Sequence, residues 1–463
     1  MNEIGLAGLG VMGKSLARNF LRNGYRLSLF NRHLPGKEEN IAKKLIKEFN
    51  LDAEGFDQVG AFIHSLQKPR KIILMVEAGA PIDDLLQSMM PYLESGDMIV
   101  DGGNSNYKDT ARRQLNLAKS DIHFLGAGIS GGEEGALLGP SIMPGGSEYG
   151  YQYWEPFLKT IAAKNPMGEP CCTYIGTGSS GHFVKMVHNG IEYAEMQLIA
   201  EIYGLLRFGM SYEPERIAHI FNDWNSGSLQ SYLLQITIDI LTHKTDGMLT
   251  LDTILDVAGS KGTGAWTTEA ASEFGVPIPV ISAALNARYM SSLKFERNEA
   301  SSLLTLNGEP SVLPPEKLAS AYRLARIINH HQGFHLIHAA SNKNDWGIRL
   351  DDLASIWTQG CIIRSTLMEE ISGHLGEETL LLKHPEILSA IQKDVNDMIT
   401  TVTHAARGIQ PIPCLESALT YLKSWFQAES SAHLLQAQRD YFGAHTYKRK
   451  DDPEGPPVHT IWK

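Results

Sequence analysis

Five polar side chains recur along one stretch of this chain at the spacing of a helix face. Between Gly178 and Tyr193, the residues Lys185, His188, Asn189, Glu192 and Tyr193 fall at i, i+3, i+4, i+7 and i+8. That spacing puts all five on one side of an α-helix. Phe183, Val184, Met186, Val187 and Ile191 lie between them and can bury the remainder. A lysine, an imidazole and a carboxylate on one stripe supply a base, an acid and hydrogen-bonding groups, which is half of an active site. A solvated face would instead repeat Glu/Lys pairs between polar flanks.

Such a stripe needs an element that presents a substrate or cofactor to it, and the start of the chain provides one. Residues 4–8 read as a short buried strand. Gly8-Leu9-Gly10-Val11-Met12-Gly13 follows at once, then a helical run over 14–23, a stop at Gly24 and a second strand over 26–30. Strand, G-x-G-x-x-G, helix and strand within about thirty residues form a dinucleotide-binding unit. Its glycines let the backbone approach a pyrophosphate, which the N–H groups of the helix N-terminus then face. At the end of the second strand stands Asn31-Arg32-His33 rather than the acid that accepts from a ribose 2′-OH. Arginine there favours a 2′-phosphate, hence NADP over NAD.

More α/β units follow. Strands are predicted over 71–76 and 97–101, with a helix opening at Pro81. Asp101-Gly102-Gly103-Asn104-Ser105 forms a turn at a strand's carboxyl end, where open α/β sheets bind ligands. The glycine-dense stretch 126–135 suits close backbone approach to an anion, or is a loop. After Gly181 the period becomes 3.6, with helical segments over 182–209, 228–243, 316–341, 351–372 and 413–427. Lys261 and Thr263, flanked by Gly262 and Gly264, suit a phosphate, and Arg288 lies on a later helical run. The tail carries Pro453, Pro456 and Pro457 and cannot be one continuous helix; such a tail packs on a partner subunit or stays disordered.

At 463 residues the chain is too long for one core, so two or three domains are expected. The net charge of −11 gives no basic field for nucleic acid. No apolar segment is long enough to span a membrane. Four cysteines without paired spacing, and a start lacking a signal-peptide pattern, fit a reducing, cytoplasmic location. His331, His335 and His338 share helical spacing, but no carboxylate or cysteine joins them, so no metal is expected.

Taken together these motifs resemble the decarboxylating 6-phosphogluconate dehydrogenases of the β-hydroxyacid dehydrogenase superfamily. The resemblance runs through nearly the whole chain. It rests on Gly8 to Gly13, Asp101 to Ser105, Ile129-Ser130-Gly131-Gly132-Glu133, the 181–193 helix, Lys261 to Gly264, and the 438–447 segment. It implies an α/β Rossmann-type N-terminal domain (1–178), a large all-α domain (179–427) and an extended C-terminal tail (428–463) reaching the other subunit of a homodimer. It implies oxidation of 6-phospho-D-gluconate to D-ribulose 5-phosphate and CO2 with reduction of NADP, a pentose phosphate pathway step.

By motif match Lys185 would be the general base and Glu192 the general acid. Ser130, Gly131, Gly132, His188 and Asn189 would hold the sugar acid, with Asn104 near both cofactor and substrate. Tyr193, Lys261, Thr263 and Arg288 would bind the phosphate, joined by Arg439 and His445 of the neighbouring subunit. The cofactor would lie against Gly8, Leu9, Gly10, Val11, Met12, Gly13, Asn31, Arg32, His33, Val76, Glu77, Ala78 and Asn104.

The chemistry asks for a lysine that starts neutral, through burial and nearby cations such as His188 or Lys261. Glu77 stands where many members of the family carry Lys beside the cofactor, and His33 where Thr or Ser is more usual; both departures weaken the preference for NADP. The rival readings are a non-decarboxylating β-hydroxyacid dehydrogenase, which lacks the phosphate cluster, and an inactive dinucleotide-binding protein, which should lack the base or the acid.

Overall fold

A computed structural model describes residues 1–259, 262–308, 312–376 and 380–463. Two compact units are present, Met1–Ala418 and Leu419–Lys463.

The first unit begins with a seven-stranded sheet: β1 (Ile4–Ala7), β2 (Leu27–Phe30), β3 (Ala53–Phe56), β4 (Lys71–Leu74), β5 (Met98–Asp101), β6 (His123–Ile129) and β7 (Ile142–Gly146). The spatial order is β3-β2-β1-β4-β5-β6-β7. All pairs are parallel except β6–β7, which is antiparallel. The near-continuous apolar runs of β1, β2, β4 and β5 follow from helices covering both faces. Trp154, Leu158 and Ile161 pack on one side and Phe62, Ile63, Ile82 and Leu86 on the other. Strand order reverses between β1 and β4, which opens a crevice beyond their carboxyl ends.

Two strands differ from the sequence reading. The glycine-dense stretch is neither a loop nor an anion cradle in its first half, because Gly126 and Gly128 lie within β6. Its second half opens a short helix, Gly132–Leu138. β7 reads Ile-Met-Pro-Gly-Gly and gives no strand pattern, yet it pairs along its length with β6. Pro144 is tolerated because β7 is an edge strand.

The reason for these glycines is the helix Ser180–Gly204, which lies directly on β6 and β7. A Cβ at Gly128 would overlap Lys185 Cβ, and one at Gly126 would come within 2.6 Å of His182 Nδ1. From the helix side, a Cβ at Gly181 would collide with the carbonyl oxygens of Gly126 and Met143. Helix and strands therefore approach as near as bare backbone allows.

Residues 180–191 are all buried. The rest of the helix is wrapped by Thr263–Phe274, Pro279–Ser292 and the thirty-residue Pro315–Asn344. Thr267 Oγ1 donates to the Met186 carbonyl at 2.9 Å, and Asn329 Nδ2 to that of Ile191 at 3.0 Å. Arg326 Nε donates to Glu195 at 2.7 Å, so these two buried charges are paired.

The helical run expected over 351–372 is not one helix. It divides into Leu350–Ile356 and Thr366–His374. Between them Gly360 adopts φ +67°, and its carbonyl accepts from Ser141 N at 2.8 Å.

The second unit holds the helix Ala432–Gly443 and an extended tail. Tyr447 and Val458 exchange backbone hydrogen bonds. Buried Asp440 accepts from Thr446 N, His459 Nδ1, Thr460 N and Trp462 Nε1 at 2.8 to 3.0 Å. Burial pushes its carboxyl up, but these donors hold it well below the usual range. One aspartate thus folds a proline-rich tail back on the helix before it.

Gly181→Ala is expected to destabilise the chain by about 1–3 kcal/mol through forced separation of helix and strands. Thermal or denaturant unfolding reads the effect; an unchanged midpoint would show that the close approach is not needed.

Candidate active site

The buried helix brings four of the stripe residues into one cluster. Lys185 Nζ lies 3.5 Å from His188 Nδ1, which is 3.3 Å from Asn189 Oδ1 and 3.8 Å from Glu192 Oε2. On the other edge of the ring, Ser130 Oγ is 3.4 Å from His188 Nε2. Ser130 is delivered by the end of β6, so the cluster joins the sheet to the helix. Gly131 and Gly132 follow with φ +110° and +65°. Lys185, His188 and Asn189 are each less than a tenth exposed, whereas the Glu192 side chain retains 21%.

Burial lowers the pKa of Lys185, and the Glu192 and Cys361 charges oppose that shift. His188 is driven well below the ordinary histidine value, first by burial and then by Lys185. This corrects one expectation: His188 is held neutral, so it is not the cation that depresses Lys185, and burial is the leading cause. A neutral His188 can accept from the lysine or donate to a carboxylate, which suits it to hold and orient rather than to titrate.

A second cluster lies one turn further on. The Arg288 guanidinium stacks over the Tyr193 ring at 3.4 Å from its centroid and donates to the Gly259 carbonyl at 3.0 Å. Gly264 allows Tyr193 this position, since a Cβ there would come within 2.9 Å of the ring. Thr263 is buried at the first turn of Thr263–Phe274, after Gly262 in the left-handed region (φ +89°). Lys261 lies outside the described residues.

The crevice at the strand-order reversal is lined by Gly8, Leu9, Gly10, Asn31, Arg32, Val76 and Glu77, and encloses about 420 Å³. Gly8 needs its φ of +97°, and a Cβ there would come within 2.6 Å of the Met75 carbonyl. Gly13 packs against the Gly8 carbonyl, whereas nothing lies within 4 Å of the position a Gly10 Cβ would take. The space beside Gly10 and the helix N-terminus at Val11, which has no side-chain cap, together suit a pyrophosphate. Val11, Met12, Gly13, His33, Ala78 and Asn104 do not line this cavity.

Asp101 builds the next turn by accepting from Gly103 N at 3.0 Å and Ser105 Oγ at 2.6 Å. Asn104 sits exposed at its tip. Arg439 and His445 belong to the second unit, where both are exposed and Arg439 donates to Gln436 at 3.1 Å.

Two neighbours of the cluster escaped the sequence reading. Trp357 packs edge-on to His188 with centroids 5.3 Å apart, and its Nε1 donates to Met143 Sδ at 3.3 Å. The Gly360 carbonyl would lie 2.7 Å from a Cβ at Gly131. Both residues occupy the break between two helices, of which Gly360 and the Ser365 cap of the second helix were the signs in the sequence.

Removing the buried amine is expected to stabilise the apo chain. A lysine with depressed folded pKa binds fewer protons folded than unfolded, so its contribution to stability rises with pH up to its unfolded value near 10.4. Lys185→Met should therefore melt a few degrees above the parent at pH 7, the gap closing toward pH 10. A variant less stable than the parent at pH 7 would contradict a desolvated amine.

The chain matches two family models. Residues 3–176 match the NAD binding domain of 6-phosphogluconate dehydrogenase, and residues 181–462 match the 6-phosphogluconate dehydrogenase C-terminal domain. It is 44% identical to the decarboxylating 6-phosphogluconate dehydrogenase of Klebsiella pneumoniae, over 99% of each chain. It is equally identical, with the same coverage, to the NADP(+)-dependent, decarboxylating enzyme of Bacillus subtilis. Among solved structures, Plasmodium falciparum 6-phosphogluconate dehydrogenase superimposes with a TM-score of 0.93 at 38% identity, covering 99% of this chain and all of that one. With a glycine-turn crevice in its sheet, a buried lysine on the helix that packs on β6 and β7, and this likeness along its whole length, the chain belongs to the 6-phosphogluconate dehydrogenase family.

Proposed function

We propose that this chain oxidises and decarboxylates 6-phospho-D-gluconate to D-ribulose 5-phosphate and CO2, reducing NADP to NADPH. The observation that carries this reading is Lys185, a buried amine of lowered pKa beside neutral His188 and Ser130. The Plasmodium falciparum relative is described with its cofactor NADP+ and its substrate 6-phosphogluconate, which supports the same ligands here.

Bound NADP supplies the hydride acceptor. Lys185 starts neutral and takes the proton of the C3 hydroxyl. The product is a β-keto acid, and Lys185, now protonated, hydrogen-bonds its carbonyl oxygen while CO2 leaves. None of these steps requires a metal. Glu192 lies two turns along the helix from Lys185 and is the more exposed, so it gives the final proton to C1 of the enediol. His188, Asn189, Ser130, Gly131, Gly132 and Asn104 hold the sugar acid. Arg288, Tyr193, Thr263 and Lys261 hold the phosphate, whose binding energy orients the distant reacting carbons.

The proposal extends to a homodimer in which Arg439 and His445 of one copy complete the phosphate site of the other. Phe295, Leu303, Leu304, Leu306 and Val312 are between 67 and 89% exposed, an apolar surface of the kind that subunit contacts cover. The domains we assign are 1–178 for the dinucleotide, 179–427 for substrate and dimerisation, and 428–463 as the exchanged tail. No described helix is long and apolar enough to cross a membrane. The four cysteines are free and buried, which suits the cytoplasm.

Measuring NADPH and CO2 together from 6-phosphogluconate tests the activity. Lys185→Met is expected to lose at least about a thousandfold in kcat while still binding NADP; near-normal turnover would refute the base. Glu192→Gln should slow proton exchange at C1 of ribulose 5-phosphate by about a hundredfold or more, and parent-rate exchange would refute the acid.

The tail is tested by mixing chains. Lys185→Met chains refolded with Arg439→Ala/His445→Ala chains should regain activity, because the hybrid joins an intact Lys185 to an intact tail from the other copy. Absence of rescue would show that each tail serves its own chain.

A further inference from the structure

The adenosine end of the cofactor crevice holds a carboxylate that the reading above does not use. After β2 the chain runs Asn31-Arg32-His33-Leu34-Pro35-Gly36-Lys37-Glu38. Proline followed by a glycine at φ +74° makes a tight turn. Leu34 and Glu38 close it with two backbone hydrogen bonds of 2.8 Å each, and Gly36 N donates to Glu39 Oε1 at 2.8 Å.

The turn therefore returns Glu38 to Arg32 in a fixed place. Arg32 donates to Glu38 Oε1 from Nε at 3.2 Å and from Nη2 at 2.8 Å, which occupies one edge of its fork. Asn31 Nδ2 donates to Glu38 Oε2 at 2.9 Å, and Asn31 Oδ1 accepts from Leu9 N at 3.0 Å. A continuous set of hydrogen bonds thus links the glycine turn to Glu38. Glu38, Glu77 and Asp84 all line the cavity, and Arg32 is the one Lys or Arg among the described residues that line it.

We propose that Glu38 sets the choice between NADP and NAD, by competing with the 2′-phosphate for Arg32 and by accepting from the ribose 2′-OH when that phosphate is absent. A 2′-phosphate brings negative charge into a cavity where three carboxylates face one guanidinium, and it must share or take the arginine's donors. An unphosphorylated ribose meets no such conflict and finds in Glu38 the kind of acceptor that NAD sites place at the end of the second strand. Because the Arg32 side chain is 66% exposed, separating the pair costs little. The 2′-phosphate can therefore still bind, with its advantage reduced rather than abolished.

This inference rests on the assigned cofactor site, and its test is chosen to be read apart from turnover. NADP and NAD affinities of the full chain are measured by calorimetry for the parent, Glu38→Gln and Arg32→Ala, alongside kcat/KM for both cofactors with 6-phosphogluconate. Glu38→Gln keeps the side-chain shape and removes the charge. It is expected to raise the NADP-to-NAD ratio about five- to tenfold, by tighter NADP and weaker NAD. Arg32→Ala should weaken NADP selectively. An unchanged or lowered ratio in Glu38→Gln, or NADP affinity indifferent to Arg32→Ala, overturns the proposal. A parent chain that binds both cofactors but does not turn over 6-phosphogluconate would count against the proposed reaction, leaving the binding ratios to decide the role of Glu38.

Discussion

The structure depends on one close approach, that of the Ser180–Gly204 helix to the last two strands of the sheet. Two backbones can come this near only where both lack side chains, and Gly126, Gly128 and Gly181 supply that. The approach fixes where Lys185, His188 and Ser130 meet, because the first two ride on the helix and the third directly follows β6. It also buries the first half of the helix on every side, so its polar residues must find partners inside the protein or be prepared for a substrate.

The same burial sets the chemistry. A lysine at the surface is protonated at neutral pH and cannot take a proton. Held inside, beside an imidazole that burial also keeps from charging, its pKa is lowered, which suits the amine to the base role we propose. The cost is a desolvated amine in the folded chain, whereas other buried ions are paired, as Arg326 is with Glu195 and Arg70 with Asp97. Glu192 keeps partial exposure on the same helix. The two groups we propose for proton transfer thus receive different surroundings on one element, as separate acid and base tasks require.

The dinucleotide crevice shows a different balance. Its glycines divide the work: Gly8 turns the chain, Gly13 lets helix pack on strand, and Gly10 leaves open space. Among the described residues that line it the charges are mostly negative, and the one arginine is already engaged by Glu38. The turn at Pro35-Gly36 is what returns Glu38 to Arg32 at one end of this crevice.

Local pattern was enough for the parts in which neighbouring residues decide. The glycine fingerprint, the first strands, the polar spacing on one helix and the motifs of the family could all be read from the order of residues, since short-range sterics and a 3.6 or 2.0 period govern them. Tertiary contact alone decided the rest. Gly126 and Gly128 looked like a loop or an anion site because the helix that needs them lies more than fifty residues away. β7 carried no strand pattern because an edge tolerates Pro144. The 351–372 run looked like one helix because nothing nearby announces that Gly360 must reach Ser141. Whether Lys185 is charged was likewise beyond the sequence: residue type supplies the amine, but its pKa depends on the burial that the whole fold creates around it.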